Sequence, residues 1–121
     1  MNRVFLIGRL GKDVETRSTT NGMMATLNLA TEERWKDKET GEPKKATNWF
    51  QVVTYSAPLA EMLERLGKKG RLVRVEATLR PTKYEKDGQT HYVTDIVVDP
   101  RGVVEFLDKP KGDDDEGEAQ A

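Results

Sequence analysis

Apolar residues along this chain fall into short runs, and the period of each run separates strands from helix. Val4-Phe5-Leu6-Ile7-Gly8 is a continuous apolar run ended by Leu10-Gly11-Lys12-Asp13, and it predicts a buried strand entering a turn. After a polar stretch and an Asn21-Gly22 turn, Met23, Ala25, Leu27 and Leu29 share one face while Thr26 and Asn28 take the other. This is the alternation of a half-buried strand over residues 23 to 31. Residues 36 to 45 are polar and contain Gly41 and Pro43, so they read as a long hairpin loop. Beyond them Trp49, Gln51, Val53 and Tyr55 line one face of a third strand, and Phe50, Val52 and Thr54 line the other.

The period then changes. Leu59, Met62, Leu63 and Leu66 are spaced i, i+3, i+4, i+7, with Ser56 upstream as a cap, Pro58 in the first turn and Gly67 just past the end. One helix is predicted there. Val73, Val75, Ala77 and Leu79 resume strand alternation against Arg74, Glu76, Thr78 and Arg80, and Pro81 is expected to interrupt that strand. Asp87-Gly88 then turns a hairpin between residues 82 to 86 and 89 to 98. The apolar run at 103 to 107 offers a last strand. From Asp108 onward Lys, Pro, Gly and acids dominate, and nothing apolar larger than alanine remains. The expected organisation is one domain over 1–107 and a short acidic disordered tail over 108–121. Strand, strand, strand, helix, strand, strand, without βα alternation, predicts an all-β fold. Its economical form is a small closed β-barrel with one helix between strands 3 and 4; the five-stranded oligonucleotide-binding (OB) barrel is one such fold, and strand order alone does not distinguish it from other small barrels.

Composition narrows the function. In 121 residues, 34% are charged and 36% hydrophobic, and the mean hydropathy is -0.73, which suits one small core under a charged surface. The absence of cysteine excludes disulfides, thiolate nucleophiles and Cys-bound zinc, and one histidine, His91, cannot build a multi-His site. There is no phosphate-binding Gly-rich loop, no Gly-x-Ser-x-Gly elbow and no His-Glu-x-x-His pair, so neither an enzyme nor a cofactor is expected. Glu32-Glu33 reads as a strand end, Asp113-Asp114-Asp115 as a solvated run, and His91 receives no role. No apolar run is long enough to span a membrane, and the start is too short for a signal core, so a cytoplasmic protein is expected. The net charge of -1 divides into -4 for residues 108 to 121 and +3 for the rest.

What remains is a set of aromatic residues among cations: Arg34-Trp35-Lys36 with Lys38, then Trp49 and Tyr55, and Arg80 with Lys83-Tyr84-Glu85-Lys86 and Tyr92. A flat π-face beside a cation suits a single nucleic-acid strand, whose unpaired bases stack on the ring while Lys and Arg neutralise phosphates. Trp35 and Tyr84 lie among charges next to polar loops, which favours a ligand-facing role. Trp49 fits both core packing and a ligand face on pattern alone.

These residues also resemble the bacterial single-stranded DNA-binding (SSB) family over residues 1 to 107. The likeness runs through Asn2-Arg3-Val4, Ile7-Gly8-Arg9-Leu10-Gly11, Asn21-Gly22, Trp35-Lys36-Asp37-Lys38 and Thr40-Gly41-Glu42. It continues in Thr47-Asn48-Trp49-Phe50-Gln51-Val52-Val53, Leu59-Ala60-Glu61, Lys68-Lys69-Gly70 and Leu79-Arg80-Pro81-Thr82-Lys83-Tyr84. The resemblance implies that Trp35, Trp49, Tyr55 and Tyr84 stack on bases, with Tyr55 where phenylalanine is usual and Tyr84 where tryptophan is frequent. For phosphate contacts it nominates Arg3, Arg17, Lys36, Lys38, Lys68, Lys69, Arg80 and Lys83. It further implies a homotetramer, with residues 4 to 7 and Phe50 near subunit contacts, acting in DNA replication, recombination and repair. The family's Pro-Phe docking tip for replication and repair proteins is missing from Ala119-Gln120-Ala121, so recruitment of such partners through the terminus is not expected. Two other readings stay open to the pattern: a primosomal OB-fold accessory protein acting mainly through protein contacts, and a barrel module for a protein or oligosaccharide.

Overall fold

The computed structural model describes residues 1 to 109, and expectations for residues 110 to 121 fall outside that range. The elements in chain order are β1 (Val4–Leu10), β2 (Glu15–Thr19), β3 (Gly22–Lys36), β4 (Pro43–Thr54), α1 (Ala57–Leu66), β5 (Leu72–Lys86), β6 (Gln89–Val98) and β7 (Val103–Phe106). Neighbours run β1-β3-β4-β6-β5, and β5 pairs again with β1, so five strands close on themselves. Closure removes much of the edge that an open five-stranded sheet would expose, although β1 meets β3 only at Arg9 and Leu10. The pairing is antiparallel except between β4 and β6, which α1 separates in the chain. This is the OB-type barrel with its helix between the third and fourth barrel strands; β2 adds to β3 and β7 to β5.

The alternation predicted for β3 and β4 is the alternation observed. Ala25, Leu27, Leu29 and Val52 are fully buried, as are Val73, Val75 and Ala77 of β5. The helix plugs one end of the barrel with Ala60 and Leu63. The Ser56 hydroxyl accepts from the Leu59 N–H at 3.4 Å at its start, and the Gly67 N–H donates to Leu63 O at 2.7 Å at its end. Gly67 is tight as well as terminal, since a Cβ there would meet Val14 Cγ2 at 2.5 Å. Two buried hydroxyls find carbonyl partners: Thr54 donates to Val98 O and Thr78 to Val97 O.

The structure corrects the sequence reading in several places. The polar stretch after Asp13 contains a strand, β2, which has no apolar face because its outer side is solvated and its ladder to β3 holds it. The polar segment 36 to 45 is strand at both ends: β3 and β4 pair without a break from Ala25↔Thr54 to Lys36↔Pro43, leaving only 37 to 42 as the loop. Pro81 does not interrupt β5. The Leu79 N–H points to the β1 side, where it donates to Asn2 Oδ1 at 2.9 Å, so the Pro81 nitrogen two residues on faces that side too. β1 does not extend that far, and no ladder bond is lost. Leu79 is 40% exposed rather than core, because Ala77 and Thr78 are buried consecutively where β5 leaves β1 to follow β6. The first strand is not buried on both faces: Val4 and Leu6 turn inward, while Phe5 and Ile7 are 66% and 56% exposed.

A charged pair holds the segment after β7 to the start of β5. The guanidinium of Arg71, itself nearly buried, donates to Asp108 Oδ1 at 2.9 Å and lies 4.1 Å from the Phe106 ring centre, while the Leu72 N–H donates to Asp108 Oδ2. Burial pushes the Asp108 carboxyl up, but the Arg71 hydrogen bond, the Leu72 N–H and the charges of Arg71 and Arg9 outweigh it and hold the group below the usual carboxylate range.

Candidate nucleic-acid interface

Strand parity assembles one broad outer face from β2, β3 and β4. Directly opposed residues share a face, so the pairs Arg17↔Met24, Thr26↔Val53, Asn28↔Gln51 and Ala30↔Trp49 all point outward. Trp49 is 64% and Tyr55 59% exposed. Between them Arg17, Met24, Thr26, Gln51 and Val53 line an open groove. The Trp49 ring lies over Gly11, where a Cβ would stand 2.3 Å from Cζ3. Glycine therefore gives this ring a flat backbone support. Tyr55 borders a second groove that Arg80 and Asp99 also line.

Two arms extend from this body. In the β3–β4 arm, Trp35 sits opposite Lys44, with Arg34, Lys36, Pro43 and Lys45 lining the hollow beside it. Lys36 and Lys38 flank the same ring on the loop side. By parity Trp35 continues the core-facing side of β3, so it does not share the outer face of Trp49; Lys36 does. In the β5–β6 arm, the Asp87-Gly88 turn has positive φ at both residues, 52° and 76°, the two-residue hairpin geometry that their sequence demands. Arg80 and Tyr84 share one face, whereas Lys83 lies on the opposite face with Tyr92.

Of the other nominated cations, Lys68 and Lys69 are exposed on the turn after α1, which the Lys69 N–H ties to Asp13 Oδ1 at 2.8 Å, close to the Gly11 support of Trp49. Arg3 differs: its guanidinium donates to Asp99 Oδ1 at 3.0 Å and to Arg101 O at 2.7 Å, and its side chain is 18% exposed. Burial pushes the Asp99 carboxyl up, but the Arg3 bond and charge with the Arg101 charge outweigh it and hold the group low. Arg3 thus fastens the start of the chain to the segment after β6.

The chain that carries these rings matches a family model described as the single-strand binding protein family over residues 1–107. The chain belongs to that family. Similar solved structures include the SSB of Plasmodium falciparum in complex with single-stranded DNA, 33% identical with a TM-score of 0.78 over 89% of this chain and 96% of that one. A deletion mutant of the single-stranded DNA binding protein from Thermus aquaticus is 30% identical with a TM-score of 0.75, over 89% of this chain and 51% of that one. Proteins of the SSB family are non-enzymatic.

Three members of this surface have little or no signature in composition or period. Lys44 sits among polar residues that read as loop, though strand alternation carried through Pro43 sets it opposite Trp35. Gly11 reads as a turn residue, and nothing in sequence signals a ring lying on it. His91 has no chemical partner near it in sequence, yet the Asp87-Gly88 turn alone fixes it as the cross-strand partner of Tyr84.

Proposed function

We propose that this protein binds single-stranded DNA without sequence preference, by stacking bases on Trp35, Trp49, Tyr55 and Tyr84 and neutralising phosphates with nearby cations. The observation that carries the reading is the exposure of Trp49 on the outer face of β4 and of Tyr55 just past its end, with a groove lined by Arg17, Gln51 and Val53 on the same face. Two large rings exposed at the edge of one groove with a cation in it form the kind of surface patch that marks a binding site. The complex of the Plasmodium falciparum relative with single-stranded DNA supports the same ligand. In this reading Arg17, Lys36, Lys38, Lys68, Lys69 and Arg80 meet phosphates around these rings, and Lys83 serves the far side of the β5–β6 arm. Arg3 stands apart from this set, because its charge is paired with Asp99 and its Nη1 and Nη2 already donate to Asp99 and to Arg101 O.

Stacking contributes about 1 to 3 kcal/mol per base, and it ignores base identity because every base has a π-face. Phosphate neutralisation releases counterions and makes affinity fall with salt. Coating of this kind protects exposed strands and melts their secondary structure in replication, recombination and repair, in the cytoplasm beside the nucleoid. Residues 1–107, the extent of the family match, form the binding domain, with the acidic segment from 108 appended to it.

The working unit in this reading is a homotetramer. Support comes from β1: Phe5 and Ile7 are exposed on its outer side, and its pairing with β3 is confined to Arg9 and Leu10. The stretch before Arg9 therefore offers a second chain both apolar surface and open backbone groups. Trp49→Ala and Tyr55→Ala test the assigned face: each should weaken oligo(dT) binding by about 1 to 3 kcal/mol. Parent affinity in both variants would remove the reading.

A further inference from the structure

The β5–β6 arm stands clear of the core. From residue 79 to 95 every residue is exposed except His91, which is partly covered. What covers it is Tyr84: the two rings face each other across the arm with centroids 5.0 Å apart and planes inclined by 18°. This is the sole stacked ring pair among the described residues, and it includes the one histidine of the chain.

An aromatic ring on an isolated two-stranded arm samples several rotamers, and a base that lands on it must first fix one of them. A ring already stacked on its neighbour has lost that freedom in advance. Near-parallel contact with His91 occupies one face of Tyr84 and leaves the other to solvent, with Tyr84 still 49% exposed. Strand parity puts Arg80 and Lys86 on the same side of the arm, one on each side of Tyr84 along β5, and Asp95 opposite Arg80. A base on the free face of Tyr84 would thus carry its flanking phosphates toward cations.

We propose that His91 is a positioning residue for Tyr84, holding the tyrosine ring flat so that a two-ring stack receives a base of the bound strand. The inference deepens the single-strand reading above and rests on it. His91 touches no phosphate or base edge in this role; it acts through Tyr84.

The test compares oligo(dT) affinity for the full chain and for His91→Ala, His91→Phe, Tyr84→Ala and the double variant Tyr84→Ala/His91→Ala. Losing an aromatic pair should make His91→Ala bind roughly twofold to tenfold more weakly. His91→Phe keeps a flat ring and should return affinity to within about twofold of the parent. With Tyr84 already alanine, the second substitution should change nothing, because the residue through which His91 acts is gone. The arm lies outside the core, so thermal midpoints should stay together. Parent affinity in His91→Ala, an equal loss in the Tyr84→Ala background, or no recovery with phenylalanine would each overturn the proposal. Absence of oligo(dT) binding by the parent chain is a different result, and would overturn the single-strand reading itself.

Discussion

Gly11→Ala should separate binding from stability at Trp49. Gly11 does not have positive φ, so alanine is compatible with its backbone, and the Gly11 N–H bond to Asn28 O at 2.8 Å is untouched. The added methyl would stand 2.3 Å from Trp49 Cζ3 and 2.8 Å from Cη2, whereas ordinary contact begins at 3.4 Å. The ring edge must retreat by about 1.1 Å, the difference between 2.3 and 3.4 Å. Because Trp49 is exposed, the indole can swing without disturbing the core. Folding stability should hold or rise by about 0.4 to 1 kcal/mol, since alanine restricts the unfolded chain more than glycine does. Binding should suffer, because a base stacked on Trp49 needs the ring flat on the barrel. The ceiling is the whole stack, about 1 to 3 kcal/mol or roughly 5- to 150-fold, which Trp49→Ala defines in parallel. Urea unfolding and oligo(dT) titration would measure both quantities, with Trp35→Phe as background so that emission reports Trp49 alone. Parent affinity together with unchanged Trp49 emission would refute the argument that Gly11 seats this ring.

Other perturbations probe the fold, the assembly and the charged latch. Leu63→Ala removes a fully buried side chain from the face of α1 that plugs the barrel, and should cost about 2 to 5 kcal/mol in urea unfolding; a loss below 1 kcal/mol would mean that the helix is not seated as described. Phe5→Lys places a charge on the outer face of β1 and should lower the assembly state in sedimentation at micromolar protein, while an unchanged mass would exclude this face as a subunit contact. The Asp108 carboxyl is held low, so its contribution to stability is fully present above the ordinary aspartate range near pH 3.9 and is lost as pH falls through the depressed value. Asp108→Asn should therefore be less stable than the parent at pH 7 and lose less stability on acidification below pH 4; parallel acid profiles would contradict the Arg71–Asp108 account.

Much of this molecule is legible in the sequence because burial imposes period. The inward side of β3 and β4, the capped helix and the Asp87-Gly88 hairpin follow from alternation, spacing and turn chemistry, each of which is local. β2 escapes because its pairing comes from β3 and not from any apolar face of its own. The exposure of Phe5 and Ile7 escapes because a run of four apolar residues is equally consistent with burial on one face or two. Pro81 misleads because the rule against proline in a strand assumes a neighbour on both sides, and β5 has only β6 there. At the candidate site the residue types were visible while their grouping was not. Alternation carried from Trp49 through the end of β4 to Tyr55 joins the two from sequence alone, but separating Trp35 from Trp49, and Lys83 from Tyr84 and Arg80, needs the register of both arms. Arg3 could not be recognised as a fastening residue, because Asp99 lies 96 positions away.

The central claim is that exposed rings on this barrel stack on unpaired bases while cations neutralise phosphates. A tryptophan-fluorescence titration with poly(dT) at low and high salt, with duplex DNA as the control, tests it most directly, since Trp35 and Trp49 are the two tryptophans of the chain. The account predicts strong quenching by the single strand, weakened by salt, and little by the duplex, whose base faces are already stacked. Equal quenching by single strand and duplex, or none by either, would contradict it.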